Sequence, residues 1–122
     1  MWNIRQTEEF EDWFIKGDER LQDDIVVHVE ILKEIGPLLG RPYADTINGS
    51  SIKNLKELRF RSGSKVIRIF FVFDSERNGV LLIGGDKSGS GDKIFYDQMI
   101  AKSEKIYLRY LQQMKKDEKK KI

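Results

Sequence analysis

Apolar residues in the first third of the chain recur at the spacing of amphipathic helices. One group follows Thr7 and a run of acidic residues, which predicts a capped helix whose apolar side carries Phe10, Trp13 and Phe14. A second stripe predicts a helix over 19–35, with apolar positions at Leu21, Ile25, Val29 and Leu32. We expect two antiparallel helices joined by a tight turn, with a short strand at Trp2–Arg5 before them and Gly36-Pro37 after them.

The middle of the chain changes to the alternation of β-strands. Three strands are predicted, at 52–60, 65–74 and 80–84, and the last of these is short and wholly apolar. Turn residues at 62–64 and 75–79 connect them as hairpins. The strands are therefore expected to form an antiparallel meander.

The remaining segments complete a β-α-α-β-β-β-α order. Residues 38–51 are predicted to form a loop, and a Gly- and Ser-rich loop at 84–92 leads into a final helix over 93–116. Strands gathered in one run, with helices outside it, favour an α+β layer fold. We expect a single domain over 1–122, with a frayed basic tail at 116–122.

Composition narrows the function classes. A chain of 122 residues suffices for one core, and the absence of cysteine excludes disulfides, thiolate metal sites and cysteine nucleophiles. The start lacks the pattern of a secretory signal, and no apolar run reaches the ~20 residues of a membrane span. We therefore expect a cytoplasmic protein without membrane association.

Charge is distributed unevenly along the chain. Residues 1–50 contain five basic and eleven acidic residues, whereas residues 51–122 contain 17 basic and nine acidic ones. Such asymmetry is typical either of a polyanion-binding face or of scattered surface lysines. The basic half is therefore where we look for a nucleic-acid site.

Conventional catalytic motifs are absent from the sequence. The segment 84–91 is Gly-rich but lacks P-loop spacing, and His28 has no second histidine to form a metal pair. No metal site and no cofactor are predicted, and His28 is interpreted as a structural or surface residue. The chemistry must therefore come from other side chains.

Arginines on two neighbouring strands form the main candidate site. Alternation places Arg59 and Arg68 on one face if the hairpin pairs them directly, although the opposite register is also compatible with the sequence. A phosphate would make such a like-charged pair favourable, since the guanidinium fork matches its oxygens. Alternatively, Glu57 or another carboxylate neutralises one arginine.

Three stretches resemble a known toxin family. They are Gly40–Ser50 with Ile52–Arg59, Val66–Asp74 and Leu81–Lys87, which include Glu-Leu-Arg and Gly-Asp-Lys motifs. This pattern is similar to the phage-derived, HigB-like branch of the RelE/ParE toxin superfamily. The resemblance implies a RelE-like fold, with a small twisted antiparallel sheet, an N-terminal helical hairpin and a C-terminal helix.

The same resemblance implies a function. It suggests the toxin of a type II toxin–antitoxin pair, which cleaves mRNA on the ribosome without a metal and is silenced by a HigA-like helix-turn-helix antitoxin in a hetero-oligomer. The catalytic positions that it implies are Lys56, Arg59, Arg68, Lys87 and Tyr96. Since the superfamily also includes gyrase-directed toxins, a gyrase inhibitor and a catalytically silent binding module remain alternatives.

A mechanism follows as a hypothesis. Arg59 and Arg68 would hold the scissile phosphate. Lys56 or Glu57 would accept a proton from the 2′-hydroxyl, with Lys56 favoured if basic neighbours crowd it. Lys87 or Tyr96 would protonate the leaving oxygen or stack on a base. Further RNA contacts are expected from a wider basic surface, which comprises Lys53, Arg61, Lys65 and Lys93.

Overall fold

The structure, a computed structural model, describes residues 1–119. Its strands are β1 (Asn3–Gln6), β2 (Ala44–Thr46), β3 (Lys56–Ser62), β4 (Lys65–Phe73) and β5 (Asn78–Asp86). Its helices are α1 (Glu8–Ile15), α2 (Glu19–Ile35) and α3 (Asp92–Lys119), with a short 3₁₀ turn at Gly36–Leu38. The α+β prediction is confirmed. Among the described residues, no helix is long and apolar enough to cross a membrane.

The five strands form one sheet in the order β1-β5-β4-β3-β2. The neighbours from β2 to β5 are antiparallel, but β1 runs parallel to β5. The prediction of a purely antiparallel sheet was therefore wrong at this edge. The N-terminal strand reaches β5 from a distant part of the chain, and local alternation carries no information on that pairing.

Three segments differ from the predicted elements. The loop expected at 38–51 contains β2, whose three residues are too few to show alternation. The first meander strand begins at Lys56 rather than at 52, and the third extends over 78–86. The final helix continues to Lys119, so the first part of the expected tail is helical, while residues 120–122 lie outside the described residues.

Local sequence explains how the two N-terminal helices begin. The Thr7 hydroxyl accepts a hydrogen bond from the Phe10 amide at 3.2 Å, and the Asp18 carboxylate accepts one from the Leu21 amide at 2.8 Å. Gly36 then ends α2 with a φ of +70°. The bounds predicted for the second helix are confirmed, while its antiparallel packing against the first stays a prediction.

Two hydrophobic layers cover the two faces of the sheet. On one face α1 and α2 pack over side chains that include Leu58, Phe60, Ile67, Ile69 and Phe71. On the other face Phe95, Met99 and Ile106 of α3 pack over Leu55, Phe70, Val72, Val80 and Leu82. Because β3 and β4 alternate between these layers, a residue's position in either strand fixes the face on which it lies.

Candidate functional site

Arg59 and Arg68 lie directly opposite each other across β3 and β4. The hairpin turn at Gly63 and Ser64 sets this register, and Gly63 adopts a φ of +61° that suits a tight two-residue turn. Both arginines belong to the face covered by α3. The register that the sequence left open is therefore the one that brings the two guanidinium groups to the same face.

Glu57 lies between the two arginines. Its Oε2 is 2.9 Å from Arg59 Nη1, and its Oε1 is 3.5 Å from Arg68 Nε. The Glu57 side chain is only 4% exposed, compared with 8% for Arg68 and 26% for Arg59. A single carboxylate is thus shared by two cations, which leaves the three side chains with a net charge of +1 at the more exposed Arg59 edge.

Tyr96, on the first turns of α3, completes this group. Its hydroxyl accepts a hydrogen bond from Arg68 Nε at 3.3 Å and donates one to Glu57 Oε1 at 2.7 Å. Burial, together with the bond to Glu57, raises the pKa of the Tyr96 phenol. Tyr96 therefore keeps its proton at neutral pH and links the helix to both charged strands.

Packing explains why α3 comes close enough for this contact. Gly85 of β5 lies opposite Arg68, and a Cβ at Gly85 would come within 3.0–3.2 Å of the Met99 and Phe95 side chains. The Tyr96 ring meets Phe70 edge to face, with centroids 6.0 Å apart. Gly85, which the sequence assigned to the loop over 84–92, is instead a residue of β5 at a close contact between the helix and the sheet.

Lys87 follows β5 directly and lies near the same face. Its backbone amide donates to the Val66 carbonyl at 2.8 Å, which places Lys87 two positions beyond the row of Arg68 and Gly85. The Lys87 ammonium is 2.9 Å from Asp92 Oδ1, and its side chain is 19% exposed. Lys87 is therefore a neighbour of the arginine pair that is held by its own carboxylate.

Two predicted site residues lie elsewhere. Alternation places Lys56 with Leu58 on the face that packs against α2, since Arg59 lies three positions further along β3. Lys65 is on that same face, where its ammonium is 3.1 Å from Asp18 Oδ2. Lys56 is predicted to be catalytic and Lys65 to contact RNA, but strand alternation turns both lysines to the side of the sheet opposite the arginine pair, and their roles stay predictions.

The other predicted RNA contacts are spread over the surface. Arg61 is exposed and shares the face of Arg59 two positions along β3. Lys53 is exposed in the loop before β3 and lines a cleft against α3 with Glu104. Lys93 is exposed on α3 and is 2.8 Å from Asp97. Of these three residues, Arg61 is the one that lies on the same face of the sheet as the arginine pair. The contacts of all three with RNA stay predictions.

Arg41 and Asp45 flank the site and were not selected from the sequence. Asp45 pairs with Glu57 across β2 and β3, and Arg41 Nη2 is 2.7 Å from Asp45 Oδ2. Bonding to Asp45 raises the pKa of Arg41, and the negative charge of Glu57 contributes in the same direction. The Gly40–Ser50 stretch contains both residues, but only the β2 pairing shows that they border Glu57.

The geometry defines a protein class: a small α+β domain with a shared arginine–carboxylate–tyrosine group on one sheet face. Residues 12–108 match the family described as phage derived protein Gp49-like (DUF891). In the crystal structure of the toxin-antitoxin complex RelBE2 from Mycobacterium tuberculosis, one chain matches with a TM-score of 0.55 at 16% identity, covering 70% of this chain and 96% of that one. This likeness shows the fold alone.

Two curated relatives come from Mycobacterium tuberculosis (strain ATCC 25618 / H37Rv). The chain is 36% identical over 102 residues to putative toxin HigB2, covering 83% of this chain and 50% of HigB2. It is 41% identical over 90 residues to putative toxin HigB3, covering 74% of this chain and 76% of HigB3. The chain therefore spans about half the length of one relative and three quarters of the other.

The chain belongs to the Gp49-like family of phage-derived proteins, since the family match covers most of its length. The resemblance to the HigB-like branch of the RelE/ParE superfamily, which the sequence motifs indicated, is confirmed by these relatives and by the RelE-type fold.

Proposed function

We propose that this protein is the toxin of a toxin–antitoxin pair and that it cleaves mRNA at the site of Arg59 and Arg68. Two relatives named as putative toxins support the first part. The observation that carries the second part is the direct pairing of Arg59 with Arg68 around one buried carboxylate. An excess of one positive charge at that position is suited to a bound phosphate.

The arginines would act on the phosphate as its charge develops. Guanidinium groups hold phosphate oxygens through paired N–H donors, and such donors stabilise a transition state best when they are fixed before the reaction. Arg68 is fixed by its bonds to Tyr96 and to the Ile67 carbonyl, at 3.3 and 2.9 Å. Arg59, being more exposed, is the residue that first meets RNA.

The reaction proposed is an internal transesterification. The ribose 2′-oxygen attacks the adjacent phosphorus while the bond from phosphorus to the 5′-oxygen breaks, which gives a 2′,3′-cyclic phosphate and a 5′-hydroxyl. A base must take the 2′-hydroxyl proton, and an acid must supply one to the 5′-oxygen. Between the two candidate bases, the structure favours Glu57 over Lys56, because Glu57 shares the arginine face.

Phosphate binding would also release the base. Arg59 and Arg68 bind Glu57 in the free protein, and a phosphate competes with that carboxylate for the same donors. Once the Arg59 guanidinium turns to the phosphate, Glu57 Oε2 is free to accept the 2′-hydroxyl proton. Tyr96 or Lys87 would then protonate the leaving oxygen, and the raised pKa of Tyr96 keeps that proton available at neutral pH.

The partners we propose follow from this activity. A HigA-like helix-turn-helix antitoxin would bind the toxin in a hetero-oligomer, and mRNA on the ribosome would be the substrate. Arg61, Lys53 and Lys93 would add phosphate contacts around the cleavage site, and each such contact makes binding weaker as salt rises. The acidic exposed faces of α1 and α2 suit a basic segment of the antitoxin.

Brief induction in cells tests the proposal. Mapping of RNA 5′ ends should show cuts within coding sequences for the wild type and for Arg20→Ala, which removes an exposed arginine of α2, but none for Arg68→Ala. Intact RNA accompanied by DNA damage would indicate a gyrase-directed toxin instead. If induced cells grow and their RNA and DNA stay intact, the protein would be a catalytically silent binding module.

A further inference from the structure

Tyr43 extends the row of the two arginines to the edge of the sheet. The Arg59 amide donates to the Tyr43 carbonyl at 2.8 Å, and the next residues, Ala44 and Leu58, are paired in register. Tyr43 therefore lies opposite Arg59, as Arg68 does on the other side. Adjacent strands are about 4.8 Å apart, so the tyrosine is next to the proposed phosphate site.

The burial pattern places Tyr43 on the arginine face. Ala44 is 1% exposed and belongs to the core beneath α2. Its neighbours along the strand turn to the other face, and Asp45 accordingly pairs with Glu57. Tyr43 is the turn residue just before β2, and its bond to the Arg59 amide continues the ladder, so we infer that its side chain lies on the side of the sheet that carries Arg59.

The ring of Tyr43 differs from the other tyrosines in its surroundings. It is 46% exposed, whereas Tyr96 packs against Phe70 and Phe95, and Tyr107 stacks on Tyr110. Within the described residues 1–119, Tyr43 takes part in no aromatic pair. A large exposed ring with little part in the core is available to a ligand.

The turn that carries Tyr43 is held in place. The amides of Tyr43 and Ala44 both donate to the Gly40 carbonyl, at 3.0 and 3.1 Å. Arg41 spans the turn and donates twice to Asp45 Oδ2, from Nε at 2.9 Å and from Nη2 at 2.7 Å. A ring on such a turn has few side-chain rotations to lose on binding.

We propose that Tyr43 stacks on the nucleobase next to the phosphate held by Arg59 and Arg68. The inference rests on the proposed ribonuclease function and specifies how its site holds RNA. Aromatic rings beside cations that contact the backbone are the common means of binding single-stranded RNA.

A binding cycle tests this inference. The probes are a fluorescent RNA with a 2′-O-methyl group at the cleavage site, which prevents cleavage, and matched RNAs that lack the base on either side of that site. The proteins are the wild type, Tyr43→Leu, Tyr43→Phe and the control Leu38→Ala, which alters a 91% exposed apolar residue outside the site. Circular dichroism and thermal unfolding verify that each variant is folded.

We expect Tyr43→Leu to bind the intact RNA about tenfold more weakly, with Tyr43→Phe and Leu38→Ala unchanged. The wild type should bind one of the two abasic RNAs about as weakly as Tyr43→Leu binds the intact RNA. Tyr43→Leu should bind that abasic RNA no more weakly than the intact one, because its stack is already lost. Unchanged binding by Tyr43→Leu, or losses that simply add, would overturn the inference while leaving the ribonuclease proposal standing. A wild type that neither binds nor cleaves RNA would overturn both.

Discussion

Arg59 on β3 and Arg68 on β4 lie directly opposite each other, a position at which like charges normally repel. Glu57 compensates for part of this repulsion by contacting both guanidinium groups, at 2.9 and 3.5 Å. One carboxylate cannot neutralise two cations, so the group retains a positive charge. We interpret that remaining charge as the reason the site attracts a phosphate.

Removal of Glu57 should destabilise the protein substantially. In Glu57→Ala, Arg68 remains 7% exposed without its carboxylate, and an uncompensated buried charge costs about 3–5 kcal/mol. Urea unfolding measures this loss. Asp97→Ala is the control, since its ion pair with Lys93 is exposed to solvent and should contribute little to stability. Equal losses in the two variants would contradict the shared-carboxylate arrangement.

The Tyr96 hydroxyl should matter for both stability and alkaline behaviour. Tyr96→Phe removes a hydrogen bond to an ionised carboxylate, which typically costs about 1.5–3 kcal/mol. Because the folded state raises the pKa of Tyr96, its contribution is complete below about pH 10 and is lost as pH rises through the folded value.

Urea titrations at several alkaline pH values test this effect. The stability of the wild type should decline more steeply with rising pH than that of Tyr96→Phe. Because Tyr107 and Tyr110 also have raised pKa values and are present in both proteins, the difference between the two curves reports Tyr96 alone. Parallel curves for the two proteins would exclude the proposed burial and bonding of this phenol.

Glu104 should make the loop before β3 sensitive to acid. Its Oε2 accepts hydrogen bonds from the Ser51 amide at 2.7 Å and from the Ser50 and Ser51 hydroxyls at 2.9 Å, which lower the pKa of Glu104. A lowered pKa stabilises the fold above the unfolded value, and that stabilisation is lost as pH falls through the folded value.

Comparison with Glu104→Gln measures this contribution. The wild type should be the more stable protein at about pH 7, and the two should converge at about pH 2, where the carboxyl is protonated. Hydrogen exchange should show faster opening of residues 50–52 in the variant at neutral pH. A stability difference that persists unchanged into acid would contradict this role.

Release of Lys87 from its carboxylate should strengthen RNA binding. In Asp92→Asn the ammonium loses the partner that is 2.9 Å away, so it is free to contact a phosphate, and affinity for an uncleavable RNA should rise severalfold at low salt. Asp18→Asn is the matched control, because it frees Lys65 on the opposite face while keeping a side chain that caps α2. If both variants gained equally, the RNA surface would extend to Lys65, contrary to the strand geometry.

The sequence predicted the elements whose signals are local. Thr7 caps the first helix as expected, and the bounds of 19–35 were correct because the apolar stripe and Gly36 agree. The first strand was predicted, but the strand β2 and the parallel pairing of β1 with β5 were missed, since both depend on partners distant in the chain. Gly84 was correctly assigned to a strand, but local alternation could not show that its lack of a Cβ makes room for the Trp13 ring.

The sequence predicted which types of residue form the site better than it predicted how those residues are arranged. The pairing of Arg59 with Arg68 was one of two registers compatible with the alternation, and only the turn geometry decides between them. Glu57 had been considered either as a neutralising group or as a base, and its position between both arginines requires three-dimensional contacts. Lys56 was selected by resemblance, and alternation places it on the other face.

The cleavage rate of a defined RNA under single-turnover conditions tests the central claim most directly. We predict that Arg59→Ala and Arg68→Ala each lower the rate about 10²–10³-fold. The double variant should lose less than the product of the two effects, because both arginines hold one phosphate, and Arg20→Ala should cleave normally. Wild-type cleavage by a folded Arg68→Ala protein would contradict the account.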